Sequence, residues 1–570
     1  MNKIKNNIDA AMGIIKATLV LKNASIINVF TQTIEKNDIA INGDTIIGMG
    51  NYEGIREIDC SGLFVAPGFI DAHVHIESSM VTPEIFSHFA IKHGVTTIIA
   101  DPHEIANVMG EEGIEFMLEN SDKGAIDIFF MLPSCVPAVD FEDNGSILKA
   151  DEIAKFINNT KVLGLGEVMD VNAVISGNEN MLEKILVSNK AHKNIDGHCP
   201  KIKAKKLNAY LCGNIKTDHE CTNVEEALEK VSNGMYVMLR EGSAAKDLVN
   251  LLPAVNRENY HRFLFCTDDR HLEDLIKVGS IDNCIRIAIR EGLDSIKAYT
   301  MATFNTANCY NLKDRGAVAP GMKADLVIFE EIENLKIKNV IKNGVMYDDD
   351  NHIFSDSKVK TSINLDYIKE ELFHIKAKGE FVNVIKINPG SLETKKEKRK
   401  VKINDNFVKN VEESEEVINK IAVIERHKNS GKHSIGFIEG LGLKGAAIAQ
   451  TIAHDSHNIV VVGDNDKNME VAVNNIIDNN GGIVIVSNGK VLESLALPIG
   501  GLMTFQNPSE VLHKIEKLNS LARKFGINKG IDPFLTLGFM SLPVIPELKI
   551  TPRGLFDYHS FSFIDLFIKE

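Results

Sequence analysis

Between about residues 67 and 316 the sequence alternates short strand-type runs with helical stretches. The runs are GFIDAHVH, VTTIIA, IDIFFML, VLGLGEV, NIDGHC, NIKTDH, MYVMLRE and FLFCTDD, eight in all. Eight βα units in about 250 residues have the size and rhythm of a closed parallel barrel. An open doubly wound sheet is the rival, but no glycine-rich dinucleotide turn follows the first strand. The fold class expected is therefore α/β: a (β/α)8 TIM-type barrel with a discontinuous small β domain and a C-terminal α/β domain.

The small β domain is read from the flanks. Residues 17–66 carry short strand signals, with Asn42-Gly43 as a hairpin turn between IAI and TIIGMG. Downstream, KADLVIF and IKNVIKNGVMYDD repeat the pattern, with Asn343-Gly344 as the turn. The expected boundaries are 1–66 and 317–380 for the two parts of this domain, 67–316 for the barrel, and 381–570 for the C-terminal domain. A 570-residue chain exceeds one hydrophobic core, and length alone suggests roughly three or four domains. The run KKEKRKVK at 395–402 and the acidic EESEE at 412–416 read as a solvated linker or surface helix. Beyond them, IVVVGDN and GGIVIVSNG are further strands.

Composition narrows the partners. A net charge of −15 argues against a polyanion, which needs a face rich in Lys and Arg. The eight cysteines form no CxxC pair, as expected for reduced thiols in the cytoplasm. No apolar run approaches the roughly 18 residues of a membrane span. The best candidate, GIIKATLVLKNASIINV, is broken by Lys16 and Lys22 and lacks a signal-peptide cleavage pattern. The expectation is a cytoplasmic protein that acts on a small molecule, with no nucleic acid or membrane partner.

The chemistry sits at the strand ends. In Asp71-Ala72-His73-Val74-His75, His73 and His75 lie two apart on a strand and share a face, so both can face the barrel axis and grip one metal. Glu167 ends the apolar run VLGLGEV, where a carboxylate is costly unless paired or bound to a cation. A buried ion pair is the plain alternative, yet the nearest Lys in the strand, Lys161, stands at its opposite end. His198, His219 and Asp268 also fall at C-terminal strand ends, where barrel enzymes keep their active sites. Ligand counting puts His73 and His75 on one ion, His198 and His219 on a second, and Glu167 between them. Two such ions about 3.5–4 Å apart can acidify a shared water. Asp268 would contact a metal and move the proton as general base and then acid. These ligands suit Zn, Mn or Fe alike.

Together, GFIDAHVHIESSM, ADPHEIANVMG, GLGEVM, DGHCP, TDHE and CTDD resemble the bacterial adenine deaminases of the amidohydrolase superfamily. VAPG and GAVAPGMKADLVIF resemble that superfamily's β-domain signatures, and AVIERH, AHDSHNIVVVG and LPVIPELKIT its C-terminal domain. The resemblance implies hydrolytic deamination of adenine to hypoxanthine and ammonia, with a binuclear Mn or Fe centre. It implies metal positions at His73, His75, Glu167, His198, His219 and Asp268, with Glu167 where many relatives carry a carboxylated lysine. Asp268 and Glu167 are the expected catalytic residues. Glu77, Glu104 and Glu220, just past strand ends, are candidates to donate a proton to the base. His454, Asp455 and His457 lie near the end of an apolar, helix-like stretch, and the two histidines could contact substrate or serve a lid or structural role. A homo-oligomer, dimer or higher, is expected. A cyclic-amide hydrolase of the hydantoinase or dihydroorotase kind is the runner-up. A non-catalytic assembly protein is disfavoured, because unused buried His and carboxylates are expensive.

Overall fold

The computed structural model describes residues 2–348, 354–355, 361–411 and 416–568. The chain forms two compact units: Met1–His103 with Glu115–Cys135 and Leu148–Phe354, and Glu104–Ile114 with Val136–Ile147 and Ser355–Glu570.

In the first unit every expected barrel run contains a strand. These are Phe69–His75, Val95–Ala100, Asp127–Leu132, Val162–Val168, Asn194–Gly197, Thr217–Asp218 and Tyr236–Arg240, then an interrupted last strand, Phe263–Cys266 and Asp268–Asp269. The first five pair in parallel succession, as do the sixth to eighth. The Lys216 N–H donates to the Ile195 carbonyl at 3.0 Å, which links the fifth strand to the sixth. Asp268–Asp269 then pairs in parallel with Phe69–His75, so the last strand returns to the first and the barrel closes. The first strand is buried along its whole length, with Asp71, His73 and His75 on one face and Ile70, Ala72 and Val74 on the other. Amphipathic helices cover the outside. Ile281–Arg290, for example, buries Ile281, Cys284, Ile285 and Ala288, one stripe of a 3.6-residue period.

The flanking strands of this unit form one eight-stranded sheet. Phe64–Pro67 pairs antiparallel with Leu326–Phe329, joining the chain before the barrel to the chain after it. Thr33–Asn42 and Thr45–Met49 make the first hairpin. At the second, Asn343 (φ 50°) and Gly344 (φ 77°) supply the left-handed pair that a two-residue turn needs.

The second unit is built on a nine-stranded, mostly antiparallel sheet. Helix Asp466–Asp478 buries Met469, Ala472, Val473 and Ile476 against Val461 and Val484. Two expectations are corrected here. The lysine-rich run is neither linker nor helix: Thr394–Asn404 is a strand paired on both sides, with Phe381–Ile387 and Phe407–Val411. Thr394 and Val401 are buried while Lys395, Lys398, Lys400 and Lys402 are exposed. Charges on the solvent face hid the strand, since its apolar partners come from the neighbouring strand. Of the acidic run, residues 412–415 lie outside the described residues. The stretch leading to His454 is also not helical: Ala447–Gln450 and Ile459–Gly463 are antiparallel strands joined by a turn. Short, fully buried strands carry no alternation that would separate them from helix. Among the described residues, no helix is long and apolar enough to cross a membrane.

Candidate metal centre

The barrel closure brings six separated strand ends to one point. His73 Nε2 and His75 Nε2 lie 3.1 Å apart, and Asp268 Oδ1 is 3.5 and 3.2 Å from them. Edges of this length belong to a tetrahedron whose centre is about 2.0 Å from each corner, the usual metal–ligand distance. Glu167 Oε1 faces the same side, 3.2 Å from His75 Nε2 and 3.3 Å from His103 Nδ1. Its other oxygen, Oε2, lies 2.7 Å from His198 Nδ1 and 3.4 Å from His219 Nε2. The carboxylate thus presents one oxygen to each histidine group, as a bridge between two cations requires. Oε1 is buried and has no hydrogen-bond partner, an arrangement that a bound cation would satisfy. Among the described residues Glu167 meets no Lys or Arg; its neighbours are His73, His75, His103, His198 and His219.

The frame behind these ligands is equally specific. Asp101 follows the second strand; its Oδ2 accepts from the Glu167 N–H at 3.0 Å, and its carbonyl is 2.9 Å from His75 Nδ1. With Nδ1 directed to that carbonyl, His75 offers Nε2 as the ligand atom. Gly166 makes this approach possible: a Cβ there would stand 2.1 Å from Asp101 Oδ2. Asp71 accepts from the Thr267 hydroxyl at 2.6 Å and from its N–H at 3.1 Å, locking the first strand to the eighth. Asp218 accepts from the Cys199 N–H at 2.8 Å and the Glu220 N–H at 3.2 Å, so one carboxylate ties the chain beside His198 to the chain beside His219. It is neutralised by the fully buried Lys230 at 2.9 Å.

Electrostatics follows the geometry. Burial alone would raise the Glu167 pKa, but His103, His198, His219 and His75 outweigh it and hold it well below the usual range. Asp268 is likewise held low against burial by His73, His75 and Arg240. Burial lowers and Glu167 and Asp268 raise His219, to about 9.

Three contributors escaped the sequence reading: Asp101, His103 and Arg240. The first two stood inside the motif ADPHEIANVMG and Arg240 stood next to last in the run MYVMLRE, so strand-end position was their signal. Arg240 Nη1 donates to Asp268 Oδ2 at 2.9 Å and also to Glu220, while Nη2 reaches Asp247 at 2.9 Å. Arg270, the basic residue nearest Asp268 in sequence, instead donates to the carbonyls of Asp274 and Gly279. Asp268 itself sits at φ 56°, a left-handed conformation uncommon for a residue other than glycine. Glu220 lies 3.5 Å from His219 Nε2, and Glu77 is buried in the turn Ile76–Ser79 after the first strand. Glu104, His454 and His457 cluster together within the second unit.

Residues 64–347 match the amidohydrolase family, and residues 391–562 match the adenine deaminase C-terminal domain. An adenine deaminase of Clostridium acetobutylicum is 48% identical over 569 residues, covering 98% of this chain and 100% of that one. The chain belongs to the adenine deaminase family. A Bacillus subtilis adenine deaminase is 43% identical over 580 residues, covering 99% of this chain and 100% of that one. Among solved structures, an atrazine chlorohydrolase from Arthrobacter aurescens complexed with zinc is 14% identical, with a TM-score of 0.44 over 57% of this chain and 94% of that one. At that overlap the fold rests on this chain's own strand order. The amidohydrolase match spans His73 to Asp268 and implies a divalent metal for this adenine deaminase family member.

Proposed function

We infer that this chain hydrolyses adenine to hypoxanthine and ammonia at a binuclear centre of manganese or iron. In this reading His73, His75 and Asp268 would hold one cation and His198 and His219 the other, with Glu167 shared between them and His103 beside its Oε1. The observation that carries it is the split of the Glu167 carboxylate, one oxygen to each histidine group. Bound there, the cations would supply water acidified for attack near neutral pH.

The protein's own groups then account for the rest. Water adds at C6, the bond to the exocyclic nitrogen breaks, and the departing amine needs a proton. Asp268 has one oxygen fixed by Arg240 and the other beside His73 and His75, so it can take a proton from water and return it to the amine. Glu220, which shares Arg240 with Asp268, and Glu77, just after the first strand, are the acids this reading assigns to the ring nitrogens of the base. The enzyme is taken as a cytoplasmic homo-oligomer, dimer or higher; eight free thiols are in keeping with that compartment, and light scattering checks the assembly.

The test is ammonia release from metal-reconstituted protein with adenine, adenosine, AMP and a cyclic amide. Adenine alone should be turned over well. Comparable rates with adenosine or AMP would overturn the free-base assignment, and turnover of the cyclic amide would favour the hydantoinase-type reading.

A further inference from the structure

The second unit buries a group of acids and imidazoles that the reaction above does not use. Glu104, Glu142, His454, Asp455 and His457 are only 3%, 7%, 8%, 6% and 1% exposed. Glu104 Oε1 lies 2.6 Å from His454 Nδ1, and Glu104 Oε2 meets His457 Nε2. The Asn458 amide donates to the Asp143 carbonyl at 2.8 Å, which draws the segment carrying Glu142 against the turn carrying His454 and Asp455.

Glu142 is the telling member. Both its carboxylate oxygens are buried, and neither has a hydrogen-bond donor. Burial, then the neighbouring charge of Asp455, oppose its ionisation more than the Val139 backbone favours it, and the charge of Glu104 adds to the opposition. A buried carboxyl group with no donor is costly, and like charges beside it add to the cost. A cation among these oxygens removes both penalties.

His457 has a different place. The Ala453 N–H donates to its Nδ1 at 3.2 Å, so that nitrogen keeps a lone pair and the ring proton sits on Nε2, donated to Glu104. It orients Glu104 from behind, as partners of metal-binding carboxylates do. His454 stacks on Phe539, with ring centroids 4.4 Å apart and planes at 17°, which fixes its Nδ1 toward Glu104.

We propose that the second unit carries a divalent cation site of its own, with Glu104, Glu142, His454 and Asp455 as ligands and His457 orienting Glu104. Mixed carboxylate and imidazole donors suit Mn²⁺ or Zn²⁺ better than Ca²⁺ or Mg²⁺. The site shares no ligand with the barrel centre and stands whether or not adenine is the substrate.

Full-length protein is stripped of metal, reloaded with Mn²⁺, dialysed, and its metal counted by mass spectrometry. Wild type should retain one equivalent per subunit more than Glu142→Gln and Asp455→Asn. Amide exchange across residues 451–458 should slow on adding Mn²⁺ to wild type and to Glu167→Gln, but not to Glu142→Gln. The second variant, Asp455→Asn, covers the case in which Glu142→Gln misfolds. Equal metal content in wild type and both variants, or no Mn²⁺-dependent protection of the turn, overturns the proposal. A Glu142→Gln protein with raised melting temperature and undiminished metal does so too, since Glu142 would then be only a buried neutral acid.

Discussion

Replacing Asp268 with Asn separates proton transfer from metal holding. The amide keeps the size of the side chain and one oxygen near His73 and His75, but it cannot accept the proton. General acid–base groups contribute on the order of 10²–10⁴-fold, so kcat should fall by about that factor, a barrier increase of about 3–5 kcal/mol. The cost to the fold should be much smaller. Arg240 loses one carboxylate partner but keeps Glu220 and Asp247, so its guanidinium is not left buried and unpaired. The metal should stay largely bound, because four histidines and Glu167 remain. Ammonia release, metal content and melting temperature, measured on one preparation, give the three readouts. A folded, metal-loaded Asp268→Asn protein with near-normal kcat would refute the proton-transfer role. A variant that only unfolds would show Asp268 to be a structural partner of Arg240.

Glu167→Gln should lose at least one metal per subunit and most activity, because the bridge loses the charge that holds two cations together; full metal content with normal turnover would make Glu167 a packed core acid. Lys230→Met strands Asp218 and Glu226 in a dry environment and should destabilise the first unit by about 3–5 kcal/mol in denaturant titration; a loss near zero would mean the pair contributes nothing. Lys549 should shape the pH dependence of stability. Burial pushes its pKa down to about 7 from 10.5, and as a neutral amine it can donate to the carbonyls of Leu392 and Phe539 at 2.8 and 3.1 Å. Between those pH values the unfolded chain binds more protons, so stability rises with pH by up to about 1.4 kcal/mol per unit. Lys549→Met should lack that rise; an identical pH profile in both proteins would show the lysine to be charged when folded.

What the linear sequence determined here is what depends on neighbours within a few residues. Strand periodicity put His73 and His75 on one face. The apolar strand around Glu167 made its carboxylate conspicuous, and the βα rhythm placed each candidate ligand at a strand end. The runs that misled were those with weak local contrast. The strand Thr394–Asn404 takes its apolar partners from elsewhere, and the buried strand before His454, AIAQ, is four residues long with one polar side chain, too short to mark a period. Only the tertiary structure decided who stands beside whom. Arg240 rather than Arg270 holds Asp268, and His103 joins Glu167 across 64 residues of chain. Asp101 fits beside Glu167 because residue 166 has no side chain. Glu104 and His454 meet although 350 residues separate them, and Glu142 is left without a donor by surroundings that no motif encodes. Such contacts depend on chain closure over long distances, and a pattern of adjacent residues carries no record of it.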